Sequence, residues 1–263
     1  MSRYVVKLGG NALDSLSPTS PVIAALARDV RDLRAEGRDV VVVHGGGPQI
    51  TRLLEETGRV AQFHEGLRVT DEETMEYVAM ALSRVNLHLV AALVHAGLTC
   101  VGLSGVDNSL LCAEPVGPPW GRIGVAPKVD AMLISTLWRA GLTPVVNPVA
   151  TDSSGELVNC NADVAAGALA AALDAELLVL LSDVDQLRSD PTDASSALSA
   201  VSGEDVRRLV ESGAAREGMR PKMIAALDAL EGGACTVLLA NGTREHALRD
   251  ALAGTIPTTE VVR

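Results

Sequence analysis

Asp39-Val40-Val41-Val42-Val43-His44-Gly45-Gly46-Gly47-Pro48 carries an apolar, β-branched run directly into three glycines and a proline, and a helical pattern follows. The run reads as a β-strand. The glycines read as a loop that a ligand can approach closely, because glycine has no Cβ and tolerates positive φ. Upstream, Tyr4-Val5-Val6-Lys7-Leu8 runs in the same way into Gly9-Gly10-Asn11. Exposed N–H groups at a strand end, beside a helix N-terminus, form a ready site for phosphate. Two such clusters, one with a lysine built into its strand, suggest a phosphoryl group gripped from two sides.

Outward from these clusters, strand-like and helix-like runs alternate, the pattern of an α/β fold with a mostly parallel sheet covered by helices. Helical spacing over 21–36 stops at Gly37, a short helix is predicted over 51–57, and the longest, over 71–96, is closed by Gly97. Residues 99–103, 143–146, 176–181 and 235–240 read as strands. The Gly- and Pro-rich stretch from Asp107 to Pro127 predicts hairpins, and Asn161 caps a helix running to about Leu173. Arg188 to Ser202 is polar and reads as a mobile surface excursion, with helices following from Gly203 and Gly218. A boundary near Ala175 divides the chain into lobes 1–175 and 176–263.

The 263 residues suffice for one large α/β domain or two lobes, and a 48% hydrophobic content with only 2% aromatics implies a core of Ala, Val and Leu. A net charge of −11 with no basic block argues against binding a nucleic-acid backbone. Cys100, Cys112, Cys160 and Cys235 form no CxxC pair and no zinc-type cluster, so they read as buried apolar side chains in a reducing compartment. The chain enters a strand at about Tyr4, which leaves no room for a signal peptide. No apolar run approaches the roughly 20 residues that span a bilayer. The expectation is a cytoplasmic protein with no membrane or nucleic-acid partner.

His44-Gly45-Gly46-Gly47 alone is ambiguous, since the same letters build the oxyanion hole of many esterases. That reading needs Gly-x-Ser-x-Gly, and Gly102-Leu103-Ser104-Gly105-Val106 lacks the last glycine. Neither a P-loop nor a Gly-x-Gly-x-x-Gly motif follows a strand, so any nucleotide is held another way. Lys7 within an apolar strand either snorkels from an edge or neutralises a transferring phosphoryl group. In Gly66-Leu67-Arg68-Val69-Thr70-Asp71, Arg68 suits a carboxylate held bidentately or a surface ion pair, and Thr70 or Asp71 caps the long helix. Asp163, in the polar cluster Asn159-Cys160-Asn161-Ala162-Asp163, either caps a helix or orients two lysines as an ionised carboxylate. In Gly218-Met219-Arg220-Pro221-Lys222, Pro221 suits a first helical turn, while Lys222 stands against the dipole and so reads as functional rather than merely solvated.

The ordered set of these motifs, with Lys7-Leu8-Gly9-Gly10, Val101-Gly102-Leu103-Ser104-Gly105 and Leu181-Ser182-Asp183-Val184, resembles the amino acid kinase family over nearly the whole chain. Within it, the set is most similar to the members that phosphorylate N-acetyl-L-glutamate. The resemblance implies a three-layer αβα sandwich with a central, mainly parallel eight-stranded sheet. It implies an N-terminal lobe for the acyl amino acid and a C-terminal lobe for ATP. It also implies transfer of the ATP γ-phosphoryl group to the substrate γ-carboxylate, a step of arginine biosynthesis. By resemblance, Lys7 and Lys222 stabilise the transferring group, Asp163 orients both lysines, and N–H groups of Gly10, Gly45 and Gly46 meet phosphoryl oxygens. Arg68, Asn159 and Asn161 line the acyl-substrate site. Gly9, Gly10, Ser182, Asp183, Val184, Leu187, Gly218 and Met219 line the nucleotide site, and Mg2+ is carried by the ATP phosphates. The chain departs from the family at Asp183-Val184-Asp185-Gln186, where a glycine is usual, and Gln186 cannot copy a glycine's backbone freedom, which leaves the path of the nucleotide loop open.

A carboxylate nucleophile is already ionised at neutral pH, so no general base is required and His44 is expected to be structural. The rival readings are a family member acting on carrier-protein-linked aminoadipate or glutamate, and a non-catalytic nucleotide-binding regulator on the same fold. The helix over 71–96 has apolar residues on more than one side, with Met75, Val78, Ala79 and Leu82 on one stripe and Met80, Val85, Leu87 and Val90 widening it. A homodimer through this helix is expected. Arginine-sensitive relatives place an extra helix before the first strand, and with a strand already at Tyr4 no arginine inhibition is expected.

Overall fold

The computed structural model describes residues 2–13, 17–190, 193–211, 219–234 and 236–262. Its main sheet comprises β1 (Arg3–Leu8), β2 (Asp39–His44), β3 (Cys100–Ser104), β4 (Thr143–Asn147), β5 (Leu177–Ser182), β6 (Ala200–Ser202), β7 (Thr236–Asn241) and β8 (Thr258–Val262). The order across the sheet is β6-β8-β7-β5-β1-β2-β4-β3, parallel except for the antiparallel β7–β8 pair. Both faces are covered, which is why the strands read as unbroken apolar runs. Val5, Val41, Val43, Leu178 and Leu180 pack on one face, and Val6, Val40, Val42, Val179 and Leu181 on the other. The sheet runs without a break across position 175, which falls between a helix and β5.

The helices are α1 (Pro21–Ala35), α2 (Gly47–Glu56), α3 (Glu72–His95), α4 (Met132–Arg139), α5 (Ala162–Ala172), α6 (Gly203–Glu211), α7 (Met219–Glu231) and α8 (Ala247–Leu252). Helices α4 to α7 cover the first face and α1, α3 and α8 the second. Local chemistry sets their ends. The Asp71 carboxylate accepts the Thr74 N–H at 2.7 Å, Asn161 Oδ1 accepts the Asp163 N–H at 2.8 Å, and Gly97 at φ 87° closes α3. Helices α5 and α7 approach so closely that a Cβ on Gly167 would lie 2.6 Å from the Ala225 carbonyl oxygen. That contact joins the two sides of the expected lobe boundary.

Four expectations are corrected. Helix α2 begins at Gly47 rather than Thr51, because Pro48 sits in its first turn, where a missing N–H costs nothing. The hairpins of 107–127 belong to a six-stranded second sheet, which includes Gly121–Gly124, Val149–Thr151 and Leu157–Cys160. The stretch 188–202 is more ordered than its polarity suggests: Leu187–Arg188 pairs with Ala197–Leu198, and β6 forms the edge of the main sheet. Finally, α3 is long and apolar enough to cross a membrane by length and composition, with a mean hydropathy of 1.5 over 18 residues. Its apolar side, including Val78, Leu82, Val85 and Leu89, is buried against the rest of the fold.

Candidate active site

Parallel strands that share a direction bring their C-terminal ends to one edge of the sheet, and ligands bind there. At that edge β1 delivers Lys7 and Gly9, β2 delivers the glycine cluster, and β5 delivers Ser182 and Asp183. The strand Leu157–Cys160 and the start of α5 bring Asn159, Asn161 and Asp163, and the start of α7 brings Lys222. All line one open cavity of about 620 Å³, together with Arg68.

Lys7 is not on an edge. It lies in a central strand between Val43 and Leu180, only 5% exposed. Its Nζ lies 2.8 Å from Asp163 Oδ1, and Lys222 Nζ lies 3.5 Å from Asp163 Oδ2. Burial works against both buried charges. It pulls the Lys7 ammonium below its ordinary range, with Asp163 opposing and Lys222 adding to the fall. Burial raises the Asp163 carboxyl, but the Lys7 and Lys222 ammonium groups outweigh it and hold Asp163 below the usual carboxylate range. Two ammonium groups thus converge on one carboxylate in the cavity wall, a placement that suits contact with an anion there.

Arg68 is buried as well, and burial lowers its guanidinium to about 10, so it stays charged at neutral pH. Nη2 donates to the Gly47 carbonyl at 3.0 Å and to Thr51 Oγ1 at 2.9 Å, and Phe63 stacks 4.8 Å from the guanidinium carbon. Arg68 lines the cavity, and its Nη1 is buried without a hydrogen-bond partner. Asn159 Nδ2 donates to Thr70 Oγ1 at 3.1 Å, which fixes the amide on the same wall.

The glycine clusters are narrower in use than expected. The Gly9 N–H donates to the Leu181 carbonyl at 2.8 Å and the Gly45 N–H to the Leu8 carbonyl at 3.2 Å, so Gly45 does not offer its N–H to a phosphoryl oxygen in this structure. Gly46 is the cap of α2, no side chain caps that helix, and a Cβ on Gly46 would lie 2.8 Å from Leu82. The site therefore needs glycine at 46 for steric reasons and draws its open N–H groups from the first turn of α2.

On the nucleotide side, Ser182 and Asp183 line the cavity, while Val184, Leu187 and Met219 do not. Leu187 is a correction: its side chain is in the core, and its N–H donates to Thr259 Oγ1 at 2.8 Å. Gln186 ties the same segment to β8 by donating to the Thr258 carbonyl at 2.9 Å. Gly10 opens a short 3-10 turn over Gly10–Leu13, and Gly218 lies outside the described residues. Sequence reasoning missed Phe63, Ile123, Ala126, Ile224 and Asp228 on the wall. Only Asp228 carried a readable signal, an acid six residues beyond Lys222 on the same helix. Among the described residues no group of three or more His, Cys, Asp or Glu side chains is placed to hold a metal ion.

Known proteins match nearly the whole of this chain. The chain is 40% identical to an acetylglutamate kinase of Geobacillus kaustophilus over 98% of this chain and 96% of that protein. It is also 40% identical to the chloroplastic acetylglutamate kinase of Arabidopsis thaliana, over 97% of this chain and 74% of that one. Among solved structures, N-acetylglutamate synthase of Neisseria gonorrhoeae, complexed with coenzyme A and N-acetyl-glutamate, superposes with a TM-score of 0.82 at 26% identity, over 100% of this chain and 59% of that one. Carbamate kinase of Giardia lamblia, bound to AMP-PNP, shares the fold with a TM-score of 0.70 at 18% identity, over 99% and 98% of the two chains. With residues 2–241 matching the model of the amino acid kinase family, the chain belongs to that family and is a kinase.

Proposed function

We propose that this chain transfers the γ-phosphoryl group of ATP to the γ-carboxylate of N-acetyl-L-glutamate, giving N-acetyl-L-glutamyl 5-phosphate and ADP in arginine biosynthesis. The observation that carries the reading is the meeting, in one cavity, of the Lys7–Asp163–Lys222 cluster with the Arg68 guanidinium and Asn159. The lysines neutralise charge on the transferring group and on the leaving β-phosphate, and Asp163 holds both in place. The first turn of α2, entered through Gly46, supplies N–H donors to the phosphoryl oxygens. Arg68 and Asn159 hold the acyl amino acid, with Asn161 beside them, and Ser182 and Asp183 face the nucleotide. Magnesium, when bound with ATP, would offset the charge of its phosphates. The exposed Asp183 carboxylate on the cavity wall is the kind of hard oxygen donor that ion takes.

The same reading divides the work between residues 1–175 for the acyl substrate and 176–263 for the nucleotide. It also includes a homodimer through 71–96. Met80, Leu87 and Val94 stand exposed on α3 at seven-residue intervals, an apolar stripe that two copies can bury against each other. The three described cysteines are free, in keeping with work in the reducing cytoplasm.

An ADP-release assay with N-acetyl-L-glutamate, glutamate and aspartate tests the activity. Turnover confined to N-acetyl-L-glutamate is expected. Turnover only with a carrier-linked aminoadipate or glutamate would redirect the reading to that branch. ATP binding without any turnover would make the chain a regulator. A monomer in light scattering would remove the dimer.

A further inference from the structure

We propose that His44 is a positioning residue for phosphoryl transfer, one that aims the Gly46 N–H into the active-site cavity through a tautomer imposed by Asn86. The inference rests on the reading of the glycine cluster given above.

A chain of forced assignments runs from the sheet to the cavity. Asn86, on α3 and 7% exposed, places its Nδ2 2.9 Å from the Val145 carbonyl. A carbonyl only accepts, so the amide nitrogen must face it. The same Nδ2 lies 3.0 Å from His44 Nε2, which therefore accepts. The ring proton is left on Nδ1, which donates to the Gly45 carbonyl at 2.8 Å. His44 has no exposed surface, and burial pushes its pKa down to about 4, so the ring stays neutral and the arrangement persists at working pH.

Gly45 is thereby clamped at both ends, its N–H by the Leu8 carbonyl and its own carbonyl by His44. The next peptide is planar and trans, so its N–H points opposite to its C=O. With the Gly45 carbonyl drawn back toward the ring, the Gly46 N–H is turned away from the ring, and Gly46 itself lines the cavity with Lys7. The remaining freedom of glycine at 45 and 46 is what makes such a tether useful.

An independent feature fits the same network. Gly102 belongs to a motif with no part in the chemistry above. A Cβ there would lie 2.1 Å from Asn86 Oδ1, so glycine at 102 is what lets Asn86 reach both Val145 and His44.

Two substitutions separate positioning from bulk. Asn mimics Nδ1 of histidine and can still donate to Gly45, whereas Gln mimics Nε2 and can satisfy only Asn86. Expected for H44N is a kcat within about threefold of wild type, and for H44Q a fall of about 10- to 100-fold, with little change in either KM, since one misdirected donor acts on the transition state. Melting temperatures should fall alike for both. Equal losses of kcat, or a larger loss for H44N, overturn the proposal. The wild-type protein gives a check that needs no variant: nitrogen NMR of His44 must show the Nδ1-protonated neutral ring, and an Nε2-protonated ring overturns it. The Gly46 amide resonance, followed on adding ADP, aluminium fluoride and N-acetyl-L-glutamate, separates the two levels of inference. An unmoved Gly46 amide overturns the reading of the glycine cluster and this proposal with it. A shifted amide with indistinguishable variants overturns the role of His44 alone.

Discussion

Two buried charge centres of this protein are built from the same parts and do different work. Between Arg122 and Asp152 the groups are in balance. Arg122 Nη2 meets Asp152 Oδ2 at 2.7 Å and its Nε donates to the Leu157 carbonyl at 2.9 Å. Asp152 Oδ1 accepts from Ser154 Oγ at 2.6 Å and from the Ser154 and Glu156 N–H groups at 2.9 and 3.0 Å. This pair fixes the turn beyond Val149–Thr151 to the neighbouring strand. The Asp163 centre differs in its place: two lysines converge on one carboxylate in the wall of a cavity. A saturated pair away from any cavity has nothing to offer a ligand, whereas charged groups that line a cavity can meet one. Buried charge by itself says little about function, and its access to a cavity says much more.

Breaking the centre in the cavity wall should have the largest effect. Lys222→Ala is expected to cut kcat by about 10²–10³ with little change in the KM for N-acetyl-L-glutamate, as for loss of one charge stabiliser. A kcat within about threefold of wild type, in folded protein, would remove Lys222 from the mechanism.

The neutral His44 beside the glycines gives the next effect, on stability against acid. Its pKa falls from 6.5 in the unfolded chain to about 4 in the fold, so the unfolded chain binds the extra proton in between. The stability tied to the neutral ring is complete above pH 6.5 and is lost as pH falls toward 4, by about 3 kcal/mol. Urea titrations across this window should show the slope in wild type and lose this part of it in H44N.

Breaking the balanced centre should cost stability and spare catalysis. Asp152→Asn is expected to lower the melting temperature by about 5 °C while leaving kcat within about twofold. Asp152 is held well below the usual carboxylate range, first by the Ser154 hydroxyl and, against the effect of burial, by Arg122. Its contribution is present above the ordinary carboxylate pKa and disappears as pH falls below it, so the variant should show a flatter acid limb in thermal melts. A loss of kcat as deep as that of Lys222→Ala would erase the distinction between the centres.

The smallest effect concerns Arg68. Arg68→Lys is expected to raise the KM for N-acetyl-L-glutamate about tenfold, because an ammonium is a point charge and cannot present a guanidinium's fork of donors while keeping the bonds to Gly47 and Thr51. Calorimetry should find ATP affinity nearly unchanged, and equal weakening of both ligands would move Arg68 out of the acyl site.

The sequence by itself determined the elements and the identity of the cluster. Valine runs made β2, Asp71 and Asn161 started α3 and α5, and Gly97 ended α3, because these depend on backbone sterics and bonds within one turn. The lysine inside β1 and the lysine set against the dipole of α7 broke local rules, and both proved to face Asp163. What only the tertiary structure decided was which groups remained open. Gly45 lost its N–H to the Leu8 carbonyl, Leu187 turned into the core, and Arg68 was tied through Nη2 to Gly47 and Thr51. It also decided that Ile123 and Ala126, which carry no chemistry of their own, would wall the cavity. These outcomes depend on strand order and register between segments far apart in the chain, set by burial summed over the whole sheet, and no local pattern encodes that sum.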